Sequence, residues 1–237
     1  MPRAFDKWTV LGHRPIEKIS DNLWRVEGDL DGIALKRVMV VVKLSDGRLL
    51  VHNPIALGSD PMYELEAWGT PAYIVVPNGF HRLDARIFKQ RYPDARVMGP
   101  SGHRKRIGQV IKLDLTYEEF SDPSVRFEYL EGLAKVEAAM LVRSSDGETI
   151  VVTDGIFNLQ EKLPGAIGAF FHFIGSKPGP RVTWLARTFM VKDRAAYKTQ
   201  LERFAELPNL RRVIVAHGAM VADNCQGFLR AAATTLS

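Results

Sequence analysis

Ile150-Val151-Val152-Thr153-Asp154-Gly155 is a β-branched apolar run that stops on a carboxylate. Short runs of this kind, bounded by turn residues, read as buried strands. The chain repeats the pattern three times: Leu49-Leu50-Val51 ends at His52, followed by Asn53-Pro54. Tyr73-Ile-Val-Val-Pro77 ends at Asn78, with His81 and Asp84 just beyond, and Val213-Ile-Val-Ala216 ends at His217-Gly218. A polar residue that closes a buried strand sits on a rigid platform at a sheet edge, where ligands of α/β proteins gather.

Around these runs, strand and helix patterns alternate. Residues 36–44 and 48–52 are joined by Ser45-Asp46-Gly47, and residues 136–143 and 148–153 by Ser145-Asp146-Gly147. Asp-Gly between β-branched runs is a hairpin signal. Further strands are expected at 22–29, 72–76, 96–98, 125–130 and 212–216. Helices are expected at 60–68 (Asp60 as cap, Pro61 at the first position), near 81–92, after Ser101, at 193–207 and at 226–234. In 193–207, Tyr197, Leu201, Phe204 and Leu207 share one face, Asp193 can cap the helix and Pro208 follows its end. The two Ser-Asp-Gly turns suggest two similar hairpin-plus-helix halves. No low-complexity linker divides them, so one domain over 1–237 is expected, an α/β (α+β) four-layer αββα sandwich.

The 237 residues include 46% apolar and 25% charged residues and a single cysteine, Cys225. That composition belongs to a globular chain able to build its own core. One cysteine excludes an intramolecular disulfide and a cysteine-built zinc or iron–sulfur site. The start has no apolar leader and no window reaches the ~20 apolar residues of a membrane helix, so a cytoplasmic protein without membrane contact is expected. The formal charge of +5 is unevenly spread. His81–Lys112 holds nine Lys/Arg against two Asp, and Asp114–Glu137 holds seven acids against two bases. The basic block, with His103-Arg-Lys-Arg106, reads either as an anion-binding surface or as a solvated face beside a complementary acidic segment.

The order of these features resembles the metallo-β-lactamase fold. Val151-Val-Thr-Asp-Gly155 stands where that superfamily has its metal-bridging aspartate, and Val215-Ala-His-Gly218 where it has its last metal-binding histidine. More narrowly, the chain resembles a family of uncharacterised proteins within that fold. Leu50-Val-His-Asn-Pro-Ile55, Ile74-Val-Val-Pro-Asn-Gly-Phe-His81, Arg91-Tyr-Pro-Asp-Ala-Arg96, Glu137, Thr153-Asp-Gly-Ile-Phe-Asn158 and the 215–218 segment carry this likeness. The resemblance implies His-x-His-x-Asp-His after the strand that ends at Pro77. The chain instead reads Asn78-Gly-Phe-His-Arg-Leu-Asp84, which puts Asn78, Phe80, Arg82 and Leu83 at the four ligand positions. The further histidine implied before the second hairpin is missing from 131–135. A conventional two-metal site is therefore not expected.

What survives is a set of His and carboxylate groups suited to one Zn²⁺, Fe²⁺ or Mn²⁺. His81, Asp154 and His217 are the expected ligands, with Asp84 or His52 as orienter or general base. The function expected is that of a hydrolase-like protein with a degenerate site, at most one atypical metal ion and an unknown small substrate. The alternative is a non-catalytic binding protein that uses the cleft or the basic face 81–112 for an anionic ligand or partner. Nucleic acid is disfavoured, because active nucleases of this fold depend on the missing ligands. Exposed hairpin edges suit a homodimer. His13 is expected at the surface, His172 in the Phe170-Phe-His-Phe173 run as a core histidine, and Cys225 as an inert thiol. Residues 163–180, with Gly165, Gly168, Gly175 and Gly179, read as a lid loop. No nucleophile elbow, phosphate loop or dinucleotide fingerprint is present.

Overall fold

The structure is a computed structural model that describes residues 4–161 and 178–236. The described chain forms two compact units, one of residues up to Asp31 with Arg37–Arg126, the other of Gly32–Lys36 with the chain from Phe127 onward. His172 with its 170–173 run, and most of the expected lid, fall in 162–177 and lie outside the described residues.

The first unit carries a seven-stranded sheet whose spatial order follows the chain. Its strands are β1 (Glu17–Ser20), β2 (Leu23–Leu30), β3 (Ile33–Lys43), β4 (Leu49–His52), β5 (Pro71–Val75), β6 (Arg96–Gly99) and β7 (Leu115–Thr116). β3 and β4 form the expected antiparallel hairpin through Ser45-Asp46-Gly47, and β4 to β7 run parallel. Helix α1 (Ser59–Trp68) connects β4 to β5 and α2 (Ala85–Arg91) connects β5 to β6. Met62 and Leu65 of α1 and Phe88 of α2 pack with Met39, Val41, Leu49, Val51 and Ile74 in one core. The alternate residues Val38, Val40, Val42 and Leu50 are buried as well, which is why these strands read as unbroken apolar runs.

The second unit repeats that plan. β8 (Val125–Tyr129), β9 (Ala138–Ser144), β10 (Gly147–Val152) and β13 (Leu210–Val215) form a four-stranded sheet in the order β13-β10-β9-β8. β9 and β10 are the second hairpin, and β13 lies parallel to β10. Between them come a two-stranded ribbon of β11 (Phe157–Leu159) and β12 (Gly179–Arg181), and the helices α4 (Trp184–Phe189) and α5 (Arg194–Ala205); α3 (Arg104–Ile107) is a single turn in the first unit. The closing helix is α6 (Cys225–Thr234). Tyr197, Leu201 and Phe204 of α5 and Phe228 and Leu229 of α6 pack against Leu141, Ile150, Val152, Val213 and Val215. Asp193 caps α5 by accepting from Ala196 N (3.0 Å), as its position in the sequence requires. Hairpin, helix, then a strand parallel to the hairpin's second arm is thus the grammar of both units.

Three local expectations change. α1 begins at Ser59 with Gly58 at its N-cap, so Asp60 lies in the first turn, where its charge faces the helix dipole, and makes no cap. His13 is half-buried rather than superficial, because its Nε2 accepts from Gly58 N (3.2 Å) at that helix start. α2 is shorter than 81–92, and the segment after Ser101 is one 3₁₀ turn followed by α3. α2 starts late because the Asp84 side chain is used elsewhere. Its Oδ2 pairs with Arg37 Nη1 of β3, its Oδ1 accepts from Ala56 N (3.0 Å), and Arg37 Nε donates to Asp29 O (3.1 Å). Among the described residues no helix is long and apolar enough to cross a membrane.

Both side chains of the Arg37–Asp84 pair are buried. Removing one partner of such a pair strands a charge and costs about 3–5 kcal/mol, whereas replacing both by apolar groups is often neutral. Asp84→Ala should therefore lower the unfolding free energy measured by urea titration by that amount, and Arg37→Met with Asp84→Leu should recover most of it. Equal loss in the single and double variants would show that the charge pairing is not what matters.

A second latch lies at the first hairpin turn. Asp122 Oδ2 accepts from Ser45 N (3.1 Å) and Oγ (2.7 Å), and Oδ1 from Ser124 N (2.8 Å) and Oγ (2.6 Å). Partial burial opposes ionisation, but the hydrogen bonds from Ser124 and Ser45 outweigh it and hold the carboxyl below its usual range. A carboxylate with a depressed folded-state pKa stabilises above its unfolded value, and the contribution fades as pH falls through the folded value. Asp122→Asn should cost about 1–2 kcal/mol at pH 7, and melts at decreasing pH should show the two proteins converging below about pH 4. A difference independent of pH would contradict this role.

Candidate metal centre

Two of the candidate ligands belong to the second unit, and strand pairing places them. Val152 at the end of β10 is the register partner of Val215 at the end of β13. Asp154 and His217 each stand two residues beyond that pair, so two parallel strands deliver them to the same edge. His217 Nε2 lies 3.3 Å from Asp154 Oδ1, and both side chains are largely buried. The other ring nitrogen, Nδ1, lies 2.7 Å from Lys36 O. A carbonyl only accepts, so Nδ1 carries a proton and donates to Lys36 O, and Nε2 is the nitrogen that faces the carboxylate. Gly218 allows this approach: it takes φ +121, and a Cβ there would stand 2.0 Å from Asn158 O. Asn158 N in turn donates to His217 O (3.1 Å).

The loop that presents Asp154 is built on Glu137, just before β9. Its Oε1 accepts from Thr153 N (2.8 Å) and Gly155 N (3.1 Å), and its Oε2 from Asp154 N (3.1 Å). Glu137 is fully buried. Burial, with the charge of Asp154 added, pushes its carboxyl up to about 7 against the opposing effect of these backbone donors. The sequence reading singled out Glu137 only through resemblance. Its one local signal is an acid that immediately precedes an apolar strand.

The remaining candidates belong to the first unit. His81 Nδ1 lies 3.1 Å from Asn53 Oδ1, while Asn53 Nδ2 donates to Val38 O (2.7 Å). The carbonyl partner identifies Nδ2 as the amide nitrogen, so Oδ1 is the acceptor and His81 Nδ1 the donor. His81 and His217 thus each use Nδ1 as a hydrogen-bond donor to a carbonyl oxygen. Asn53 was missed as a functional residue; its signal is a polar side chain at the strand end with a left-handed backbone (φ 54). His52 is buried, and burial, with the nearby charge of His81, pushes its pKa down to about 3. Its Nδ1 has no partner among the described residues. Asp84 is committed to Arg37 and Ala56 as described above.

Asn78 is fully buried and closes a tight turn, its Oδ1 accepting from Phe80 N (2.8 Å). Phe80 is exposed, and burial together with the charge of Arg106 holds Arg82 below its ordinary value. His103 accepts at Nδ1 from Gly79 N (2.9 Å). Cys225 is buried at the start of α6, and burial raises its thiol pKa, as befits an unreactive group.

The Asp154–His217 pair passes a simple fit test. Two donor atoms each ~2.1 Å from a tetrahedral ion stand ~3.4 Å apart, and Nε2 and Oδ1 are 3.3 Å apart. One nitrogen and one carboxylate oxygen also match the preference of Zn²⁺, Fe²⁺ and Mn²⁺ for mixed N/O sites.

No protein-family model matches the sequence, and no curated protein matches it. Solved structures do. The chain is similar to a metallo-beta-lactamase from Pontibacter korlensis at 12% identity, over 92% of this chain and 98% of that one, with a TM-score of 0.60. It is similar to the DIM-1 metallo-beta-lactamase at 11% identity, over 97% and 100%, with a TM-score of 0.63. FIM-1 from Pseudomonas aeruginosa in its mono-zinc form gives 11% identity, 93% and 96% coverage and a TM-score of 0.60. Identities this low speak for architecture alone, and on that footing the chain has the metallo-β-lactamase fold.

Proposed function

We propose that this chain is a hydrolase-like protein that holds a single divalent metal ion, zinc, iron or manganese, and acts on a small molecule. Asp154 and His217, both of the second unit, are its ligands. The observation that carries this reading is the 3.3 Å approach of His217 Nε2 to Asp154 Oδ1, with Nδ1 already committed to Lys36 O. An imidazole nitrogen and a carboxylate oxygen at that distance are spaced to share one divalent ion. The mono-zinc form of FIM-1 supports it too, since a protein of this fold is described with one zinc. Asn78, Phe80, Arg82 and Leu83 are poor zinc ligands, which limits the site to one ion.

Such an ion, when bound, lowers the pKa of coordinated water to ~7 and supplies hydroxide at neutral pH. The protein's part is positioning. Glu137 fixes the backbone that carries Asp154, Lys36 O and Asn53 orient the two imidazoles, and Asp84 ties the Ala56 loop next to Asn53 to β3. His52, neutral and buried, serves with Asp84 as an orienter.

Protein purified without an affinity tag or chelator should contain about one metal per chain by elemental analysis, and Asp154→Ala and His217→Ala should abolish it. Metal-free protein whose melting temperature ignores added zinc, iron and manganese would overturn the proposal, because a ligand at 100 times its Kd adds about 2.7 kcal/mol.

Glu137 gives a separate test. Glu137→Ala leaves three buried backbone N–H groups without their acceptor, at about 1–3 kcal/mol each. The variant should melt well below the parent and bind metal more weakly. If it melts and binds like the parent, the Asp154 loop does not rest on this carboxylate.

A further inference from the structure

Trp8, in the segment before β1, is fixed on two sides. Its Nε1 donates to Leu57 O (3.0 Å), and its ring lies 5.1 Å from that of Phe88 in α2. Arg91, the last residue of α2, stands 4.9 Å over the same indole. With Val10, Leu57, Met62 and Tyr63, these two side chains line a cavity of about 220 Å³ at the start of α1, wholly within the first unit. An apolar cavity of about 150 Å³ takes benzene, so this one has room for a ring that carries a substituent. Gly58 and Ser59 complete the lining, and Gly58 adds to the room. A Cβ there would meet nothing nearer than His13 Nε2, 3.9 Å away, and its extended backbone (φ −62, ψ 170) is one that any residue adopts.

The lining holds one charge, Arg91, and no acid. Arg91 Nε and Nη2 both lie 2.9 Å from Glu66 Oε1, which fixes the plane of the guanidinium from outside the lining. Its Nη1 makes no hydrogen bond among the described residues, and neither do the hydroxyls of Ser59 and Tyr63. Gly58 N–H is taken by His13 Nε2 (3.2 Å), so the donors left for a ligand are side chains. A guanidinium ordered in advance loses little entropy on binding, and Nη1 keeps two N–H groups to give. An ionised carboxylate is their complement because it only accepts; an amide would turn its own N–H groups toward other donors.

We propose that this cavity binds a small aromatic carboxylate, with the ring against Trp8, Met62 and Tyr63 and the carboxylate on Arg91. The site uses neither Asp154 nor His217, so it is independent of the metal reading.

The probes are 2-naphthoate, 2-naphthamide and acetate, titrated by calorimetry into protein freed of metal by a chelator. 2-Naphthoate should bind saturably, about tenfold or more tighter than its amide or acetate. Arg91→Gln should weaken it about tenfold or more, and Tyr63→Ala about threefold or more. Gly58→Val should block it by filling the cavity. Tyr63 is 69% exposed, so Tyr63→Ala should melt like the parent, which separates lost binding from misfolding. Lys112→Gln should bind like the parent. Equal binding of the amide would remove the carboxylate from the site, and equal binding of acetate would remove the ring; either overturns the proposal. It also fails if 2-naphthoate does not saturate, if the three cavity variants all bind like the parent, or if binding appears only when zinc is added back.

Discussion

The parallel pairing of β10 with β13 is the constraint on which the second unit's chemistry depends. Its register sets Val152 beside Val215, so Asp154 and His217, equally far beyond, meet at 3.3 Å. A slip of one residue would turn every side chain to the other face, and the buried cores forbid it because Ile150 and Val152 pack with Val213, Val215 and the α5 face. Site geometry here is a consequence of core packing. The first unit works the same way: β4 and β5 run parallel, His52 is the register partner of Val75, and the polar residues after each strand collect at one edge.

His81 and His217 are each oriented by a group that lies far away in sequence. Lys36 O fixes the tautomer of His217 across 181 positions, and Asn53 fixes that of His81 across 28. Glu137 supports Asp154 by gathering three successive backbone N–H groups around one buried carboxylate. These contacts commit Nδ1 of each imidazole to a carbonyl oxygen. Asp84 contributes at a distance, since its pairing with Arg37 secures the segment that follows Asn53.

Much of the architecture was legible in the chain because it is encoded locally. Asp-Gly turns between β-branched runs marked both hairpins, and the 3.6-residue spacing of Tyr197, Leu201 and Phe204 with Asp193 before them marked α5. The misread ends have non-local causes. α1 takes Gly58 as its cap because His13, 45 residues earlier, accepts its N–H, and α2 begins only at Ala85 because Asp84 turns to Arg37. The basic block also looked uniform in sequence, yet ion pairs with Asp6 and Glu66 neutralise part of it and leave Arg82 on uncharged acceptors.

The sequence by itself determined which residues end the buried strands, and so which side chains were available for chemistry: His52, His81, Asp154 and His217. It also determined the absence of thiolates, and the Asn, Phe, Arg and Leu at the positions where the resemblance calls for further ligands. Tertiary structure alone decided that Asp154 and His217 meet, that Nδ1 of each histidine donates to a distant carbonyl oxygen, that Asn53 orients His81, and that Glu137 carries the Asp154 loop. The physical reason is range. Strand runs and turns are set by neighbours a few residues apart, whereas register, tautomer and the partners of buried polar groups are set by hydrogen bonds to residues brought close only by folding.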